Sequence, residues 1–116
     1  MTVFFVNVRK SILVMTVFQF SSKWFACGKN FGVKGEEECP SYINTGMFNV
    51  IKELDSTKYV FAGHDHLNNY SVMYDGIRLT YAMKTGDRCS QTPGQNGGTL
   101  ITMGDETTVE HIYVEN

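Results

Sequence analysis

The sequence predicts a mixed α and β fold whose C-terminal half is rich in antiparallel strands. Three observations carry this. Short runs of Val, Ile, Phe and Tyr recur between polar breaks, as strands require. One segment, Met47 to Leu54, has its apolar residues at helical spacing. Two turn signals, Asp75-Gly76 and Gly104-Asp105-Glu106, each separate a pair of strand-like runs.

Taken in order, Val3–Val8 and Ile12–Phe20 are dense in Val, Ile and Phe and read as buried strands. The uncharged run from Ser11 to Ser22 is too short to span a bilayer. Arg9 and Lys10 follow an apolar start instead of opening it, and no small-x-small cleavage site comes after, so neither a signal peptide nor a membrane anchor is expected. Lys29–Tyr42 contains glycines, a proline and three consecutive glutamates, the composition of a surface loop. In the helix that follows, Met47, Val50, Ile51 and Leu54 line one face, with Asn44 or Thr45 as the expected cap and Asp55-Ser56 as the stop.

Lys58–Ala62 reads as a strand halted by Gly63, which lets the chain turn into the polar loop GHDHLNN. Tyr70–Tyr74 and Ile77–Tyr81 then form a hairpin about Asp75-Gly76, where both central positions must accept positive φ. Lys84–Gly98, rich in Gly, Thr and Gln, is expected to be a long loop. Leu100–Met103 and Thr107–Val114 make a second hairpin that closes the sheet.

Composition narrows the function classes. The 116 residues allow one small domain, and a formal charge of −2 offers no overall attraction to nucleic acid or anionic membrane. Hydrophobic residues at 42% suffice for a packed core. Cys27, Cys39 and Cys89 form an odd set without a C-x-x-C pair, which disfavours both a disulfide framework and a cysteine-built zinc site. The compartment is left open, with a cytoplasmic one favoured by reduced thiols and the poor leader. Charge is uneven: there are five bases and no acid up to Gly35, then twelve acids against five bases, a net −7, from Glu36 onward. Such a break separates residues 1–30, an apolar and basic segment that is divergent or foreign to the domain, from a domain spanning 31–116.

Chemistry concentrates at Gly63-His64-Asp65-His66, which holds two of the three histidines. Loops at strand ends are where such scaffolds present reactive groups. In extended chain, residues two apart project to one side, so His64 and His66 can aim at a common volume while Asp65 points elsewhere. Neutral imidazole is the commonest nitrogen ligand of transition metals. On spacing alone, H-x-H also describes a solvated turn. His111, between Glu110 and Ile112 in a strand-like run, reads as structural or surface.

The stretch VFAGHDHLNNY resembles the terminal metal-binding block of the calcineurin-like metallophosphoesterases, a G-H-x-H after a strand, in the form used by the branch related to purple acid phosphatases. GVKGEEECPSYINTGMFNVIKELDSTKYVFAGHDH is similar to the loop, helix and strand leading into that block, YDGIRLTYAMKTG to the hairpin after it, and NGGTLITM to a closing strand. The resemblance runs from about Phe31 to the C-terminus and implies the C-terminal part of a four-layer β-sandwich flanked by helices. It implies hydrolysis of a phosphoester at two metal ions of Fe, Zn or Mn type, which polarise the phosphoryl group and activate water. His64 would bind one ion and His66 the other, with Asp65 and Asn68 as residues orienting them or the substrate. At Asn69 the branch more often carries Asp.

The same resemblance implies ligand blocks that this chain does not contain: Asp-x-His, Gly-Asp-x-x-Asp and Gly-Asn-His, and a further histidine before the Gly/Glu-rich loop. Gly86-Asp87-Arg88-Cys89-Ser90 and Gly104-Asp105-Glu106-Thr107-Thr108 open like the second block, yet Ser90 and Thr108 stand where its last Asp belongs. Two imidazoles fall short of the three protein ligands usual for zinc. The chain alone is therefore expected to be inactive, either an incomplete phosphoesterase or a non-catalytic binding module of that fold. Half of a sandwich also leaves apolar surface uncovered, so self-association is expected.

Overall fold

The computed structural model describes residues 11–15, 30–40 and 42–114, with the backbone alone in the first of these. The elements are strand β1 (Ser11–Met15), helix α1 (Met47–Leu54) and strands β2 (Thr57–Ala62), β3 (Ser71–Tyr74), β4 (Ile77–Tyr81), β5 (Gly97–Thr102) and β6 (Thr108–Tyr113). The expected strand Val3–Val8, and the part of Ile12–Phe20 beyond Met15, lie outside the described residues. The result is a small sheet-rich α+β domain with one helix among the described residues.

Four strands form one sheet in the order β1-β2-β4-β3. β1 and β2 run parallel, as do β2 and β4, while β3 runs antiparallel to β4. The chain leaves β2, crosses to the sheet edge as β3, and returns through Asp75-Gly76 to insert β4 between them. Asp75 has φ 46° and Gly76 φ 79°, the positive values that the Asp-Gly signal predicts. The central strands β2 and β4 each carry consecutive buried residues, and Val60, Leu79 and Val72 of the edge strand β3 are fully buried and join Ala62, Tyr70, Ile77, Tyr81 and Ile51 in one core cluster.

The second hairpin corrects the sequence reading. β5 and β6 pair only with each other, as a separate two-stranded sheet, and do not close the first one. β5 also starts at Gly97, inside the segment expected to be loop. A Cβ at Gly97 would run into the Ile112 carbonyl, so the absence of a side chain permits the close pairing with Tyr113. The Tyr59 hydroxyl donates to the Thr107 carbonyl at 3.0 Å, and the Met83 N–H donates to Thr99 Oγ1 at 3.0 Å. These long-range bonds dock the hairpin, a relation no local pattern encodes.

Helix α1 has the predicted limits but not the predicted cap. Gly46 occupies the N-cap in the left-handed region, without a side-chain bond to the helix. Asn44 Oδ1 instead accepts the Gly46 N–H at 2.9 Å, a local turn that competes with capping. Ile51 alone of the helix is buried, and Phe48 packs on Tyr74 with ring centroids 5.3 Å apart. Lys52 donates to the Asp75 carbonyl at 2.8 Å and so ties the helix to the β3–β4 turn. Met47, Val50 and Leu54 remain exposed.

Candidate functional site

β2 delivers the chain to Gly63 at one end of the sheet, and the histidine loop follows at once. The sharp turn was expected at Gly63, yet the left-handed residue is His64, at φ 88°. A Cβ at Gly63 would meet open space, so nothing there requires glycine. A non-glycine residue held at such a φ is maintained by its surroundings at a cost of about 1–3 kcal/mol.

The loop alternates in and out. His64 and His66 are exposed, whereas Asp65 is buried between them. The Asp65 carboxylate faces a set of donors. Asn68 Nδ2 donates to Oδ2 at 3.2 Å, the Cys39 N–H approaches the same oxygen at 3.4 Å, and the Tyr81 hydroxyl also bonds the group. His64 Nδ1 lies 3.2 Å from Asp65 Oδ1. A carboxylate on one ring nitrogen fixes the tautomer and leaves the other nitrogen able to act as a ligand or base. Burial, and then the bond to Asp65, push the Tyr81 phenol well above its ordinary range, so it remains a donor.

Asn68 is the second organiser. It is almost wholly buried, and its Oδ1 accepts the main-chain N–H groups of Gly35 and Glu36 at 3.0 and 3.1 Å. Glu36 answers by accepting the Leu67 N–H at 2.7 Å. Asn69 takes the Val33 N–H on Oδ1 at 2.7 Å, and its own N–H donates to the Val33 carbonyl at 2.9 Å. Phe31 and Ser71 exchange two backbone bonds. The Gly/Glu-rich stretch expected to be a free surface loop is therefore, over Asn30 to Glu38, an arm lying antiparallel to Leu67–Ser71. Gly32 and Gly35 permit this approach: a Cβ on either would collide with the main chain of Asn69 or Leu67.

At the far end of the arm, Tyr70 donates to Glu38 Oε1 at 2.8 Å, and Lys34 pairs with Glu38 at 3.0 Å. Burial works to raise the Glu38 carboxyl, but the bonds from Tyr70, its own main chain and Lys34 together hold it below the ordinary range. Burial, reinforced by Glu38, pushes the Tyr70 phenol well upward. Sequence reasoning missed Glu36, Glu38, Tyr70 and Tyr81. Three successive glutamates read as a solvated run, and only the backbone bridges to Asn68 and Ser71 turn two of them inward.

His111 has the structural position the sequence suggested. Its ring stands edge-on to Phe31 at a centroid distance of 5.0 Å, Nδ1 is 3.2 Å from Thr99 Oγ1, and Nε2 bonds the Asn69 carbonyl. It thus joins the hairpin to the end of the histidine loop.

The donor set among the described residues does not fit the two-metal centre that the resemblance implies. Among the described residues no three His, Cys, Asp or Glu side chains come together in a group able to hold a metal ion. Asp65, the nearest carboxylate in sequence, is spent on Asn68, Cys39 and Tyr81. His64 and His66 remain as two exposed imidazoles on one loop. No described helix is long and apolar enough to cross a membrane.

No protein-family profile matches the chain, and no solved structure matches it. A curated protein of Arabidopsis thaliana, "Probable inactive purple acid phosphatase 14", is 42% identical to this chain over 55 residues. That segment is 47% of this chain and 14% of the relative's length. This chain is therefore linked by sequence to a purple-acid-phosphatase-related protein, over a piece that is a small fraction of that protein.

Proposed function

We propose that this chain is a phosphatase-like module without catalysis of its own, retaining the last histidine loop of the calcineurin-like phosphoesterase fold. One observation carries the reading. The loop keeps its scaffold, with Asp65 and Asn68 turned inward and bonded, while His64 and His66 face solvent without a third ligand among the described residues. The relative named as inactive supports the same direction. Phosphoryl transfer at two metals needs carboxylate and imidazole ligands that neutralise charge and hold the attacking water. Two imidazoles supply neither function.

Metal analysis of the purified chain after equilibration with zinc, manganese or iron tests this, together with turnover of a generic phosphomonoester. The expected result is no stoichiometric pair of ions and no hydrolysis above the buffer rate. Two tightly held ions with turnover would refute the reading.

The retained GHDH loop also supports a second reading, in which these residues complete a dinuclear phosphoesterase within a longer polypeptide carrying the other ligand blocks. His64 and His66 would then each hold one ion, with Asp65 orienting His64 and a phosphoester as substrate. His64→Ala and His66→Ala in such a polypeptide should abolish both metal content and hydrolysis; unchanged values would exclude it.

A further inference from the structure

His111 connects three parts of the molecule that the strand ladders leave separate. Its Nε2 bonds the Asn69 carbonyl at the end of the histidine loop, its Nδ1 meets Thr99 on β5, and its ring packs edge-on against Phe31 of the arm. A carbonyl oxygen can only accept, so Nε2 must carry a proton. With Nε2 protonated, the neutral ring has one lone pair, on Nδ1, and the Thr99 hydroxyl donates to it. That hydroxyl oxygen in turn accepts the Met83 N–H at 3.0 Å. The chain Met83 to Thr99 to His111 to Asn69 is thus satisfied in one protonation state, the neutral one.

We propose that His111 is a pH-sensitive latch, which holds the β5–β6 hairpin against the end of the histidine loop while neutral and releases it on protonation. A proton added at Nδ1 makes that nitrogen a donor and points it at Thr99 Oγ1. The hydroxyl then has to turn its own hydrogen away from the ring, the Thr99-to-His111 bond of the neutral state is lost, and a cation is left half-buried.

The surroundings offer that cation little compensation. From β6 the neighbours are the Tyr113 ring at 6.4 Å and the Glu110 main chain; from β5, Thr99; from the arm, Phe31. Behind Phe31, the Arg78 guanidinium of β4 lies 5.7 Å from the ring centroid, a like charge. Among the described residues the one histidine ion pair is His64 with Asp65, so no carboxylate is paired with His111. Burial holds its imidazole below the ordinary range, against the upward pull of the Asn69 carbonyl and the Glu110 main chain. The latch is therefore closed at neutral pH and opens on acidification.

Hydrogen exchange of the whole chain, corrected for intrinsic rate, tests this between about pH 7.5 and pH 5. Amides of 97–113 should exchange faster at the lower pH, by up to about tenfold per pH unit for one proton. His111→Gln can still donate to Asn69 and has no proton to gain, so its hairpin exchange should not change with pH. His64 and His66 are unchanged in that variant and serve as the control. Should the variant fail to fold, the His111 ring signals of the unaltered chain must titrate below the 6.5 of a free imidazole. Equal exchange at both pH values, an unchanged pH response in His111→Gln, or a ring titrating at or above the free value would each overturn the latch.

Discussion

Asn68 donates its amide hydrogen to the buried carboxylate of Asp65 at 3.2 Å, and the same side chain grips the arm through Gly35 and Glu36. One residue thus sets the inward turn of the histidine loop and the seating of the segment across it. The network is complete: no buried side-chain nitrogen or oxygen among the described residues lacks a partner. Complete buried networks rigidify a structure, and partial ones are costly.

Asn68→Ala should therefore be far more damaging than its size suggests. It strands two main-chain N–H groups and part of the Asp65 carboxylate, and a loss of about 2–4 kcal/mol is expected. Urea unfolding followed by circular dichroism measures this; a change below about 0.5 kcal/mol would contradict the assigned role.

The backbone at the head of the loop makes the opposite kind of prediction. His64 sits at φ 88° and Gly63 has open space about its Cβ position. His64→Gly should raise stability by about 1 kcal/mol by removing side-chain strain, while Gly63→Ala should be neutral within about 0.5 kcal/mol. The same unfolding measurement decides, and a large loss in Gly63→Ala would show that the turn needs glycine there after all.

Ser71 and Thr80 share a fully buried hydrogen bond of 2.8 Å between β3 and β4. Ser71→Ala alone leaves a buried hydroxyl unsatisfied and should cost about 1–3 kcal/mol. The pair Ser71→Ala with Thr80→Val should cost less than the sum of the two single changes. Additive losses in a double-mutant cycle would mean that the bond contributes nothing.

Acid and alkaline limits follow from the arm. Glu38 is held below its ordinary value of 4.5, so the unfolded chain binds more protons just below that pH. Its stabilising contribution is present above about pH 4.5 and is lost as pH falls toward the folded value. Tyr70 is shifted the other way, upward from 10, so its contribution is present below that pH and is lost above it. Glu38→Gln should flatten the acid limb of a melting-temperature profile, and Tyr70→Phe the alkaline limb.

On α1 the apolar side chains of Met47, Val50 and Leu54 are exposed. Self-association is expected for the isolated chain, and Val50→Lys with Leu54→Lys should reduce it in sedimentation experiments. A monomeric unaltered chain at high concentration would show that these side chains need no cover.

Much of the fold is legible in local pattern. The limits of α1, the strand before the histidine loop and the Asp75-Gly76 hairpin follow from spacing and turn chemistry within about ten residues. The alternation of His64, Asp65 and His66 is the one expected of extended chain, although the backbone at His64 is left-handed. The arm and the second hairpin were misjudged because their partners are remote. Asn68 and Gly35 are 33 residues apart, and His111 and Asn69 are 42 apart.

By itself, then, the sequence located α1, β2 and the β3–β4 hairpin among the described residues, and showed that two imidazoles share one loop. Tertiary structure alone decided that Glu36 and Glu38 turn inward, that β5–β6 stands apart as its own sheet, and that His111 joins it to the loop. Those outcomes depend on which distant main-chain groups compete for each polar side chain, and only the closed chain brings those competitors within hydrogen-bonding distance.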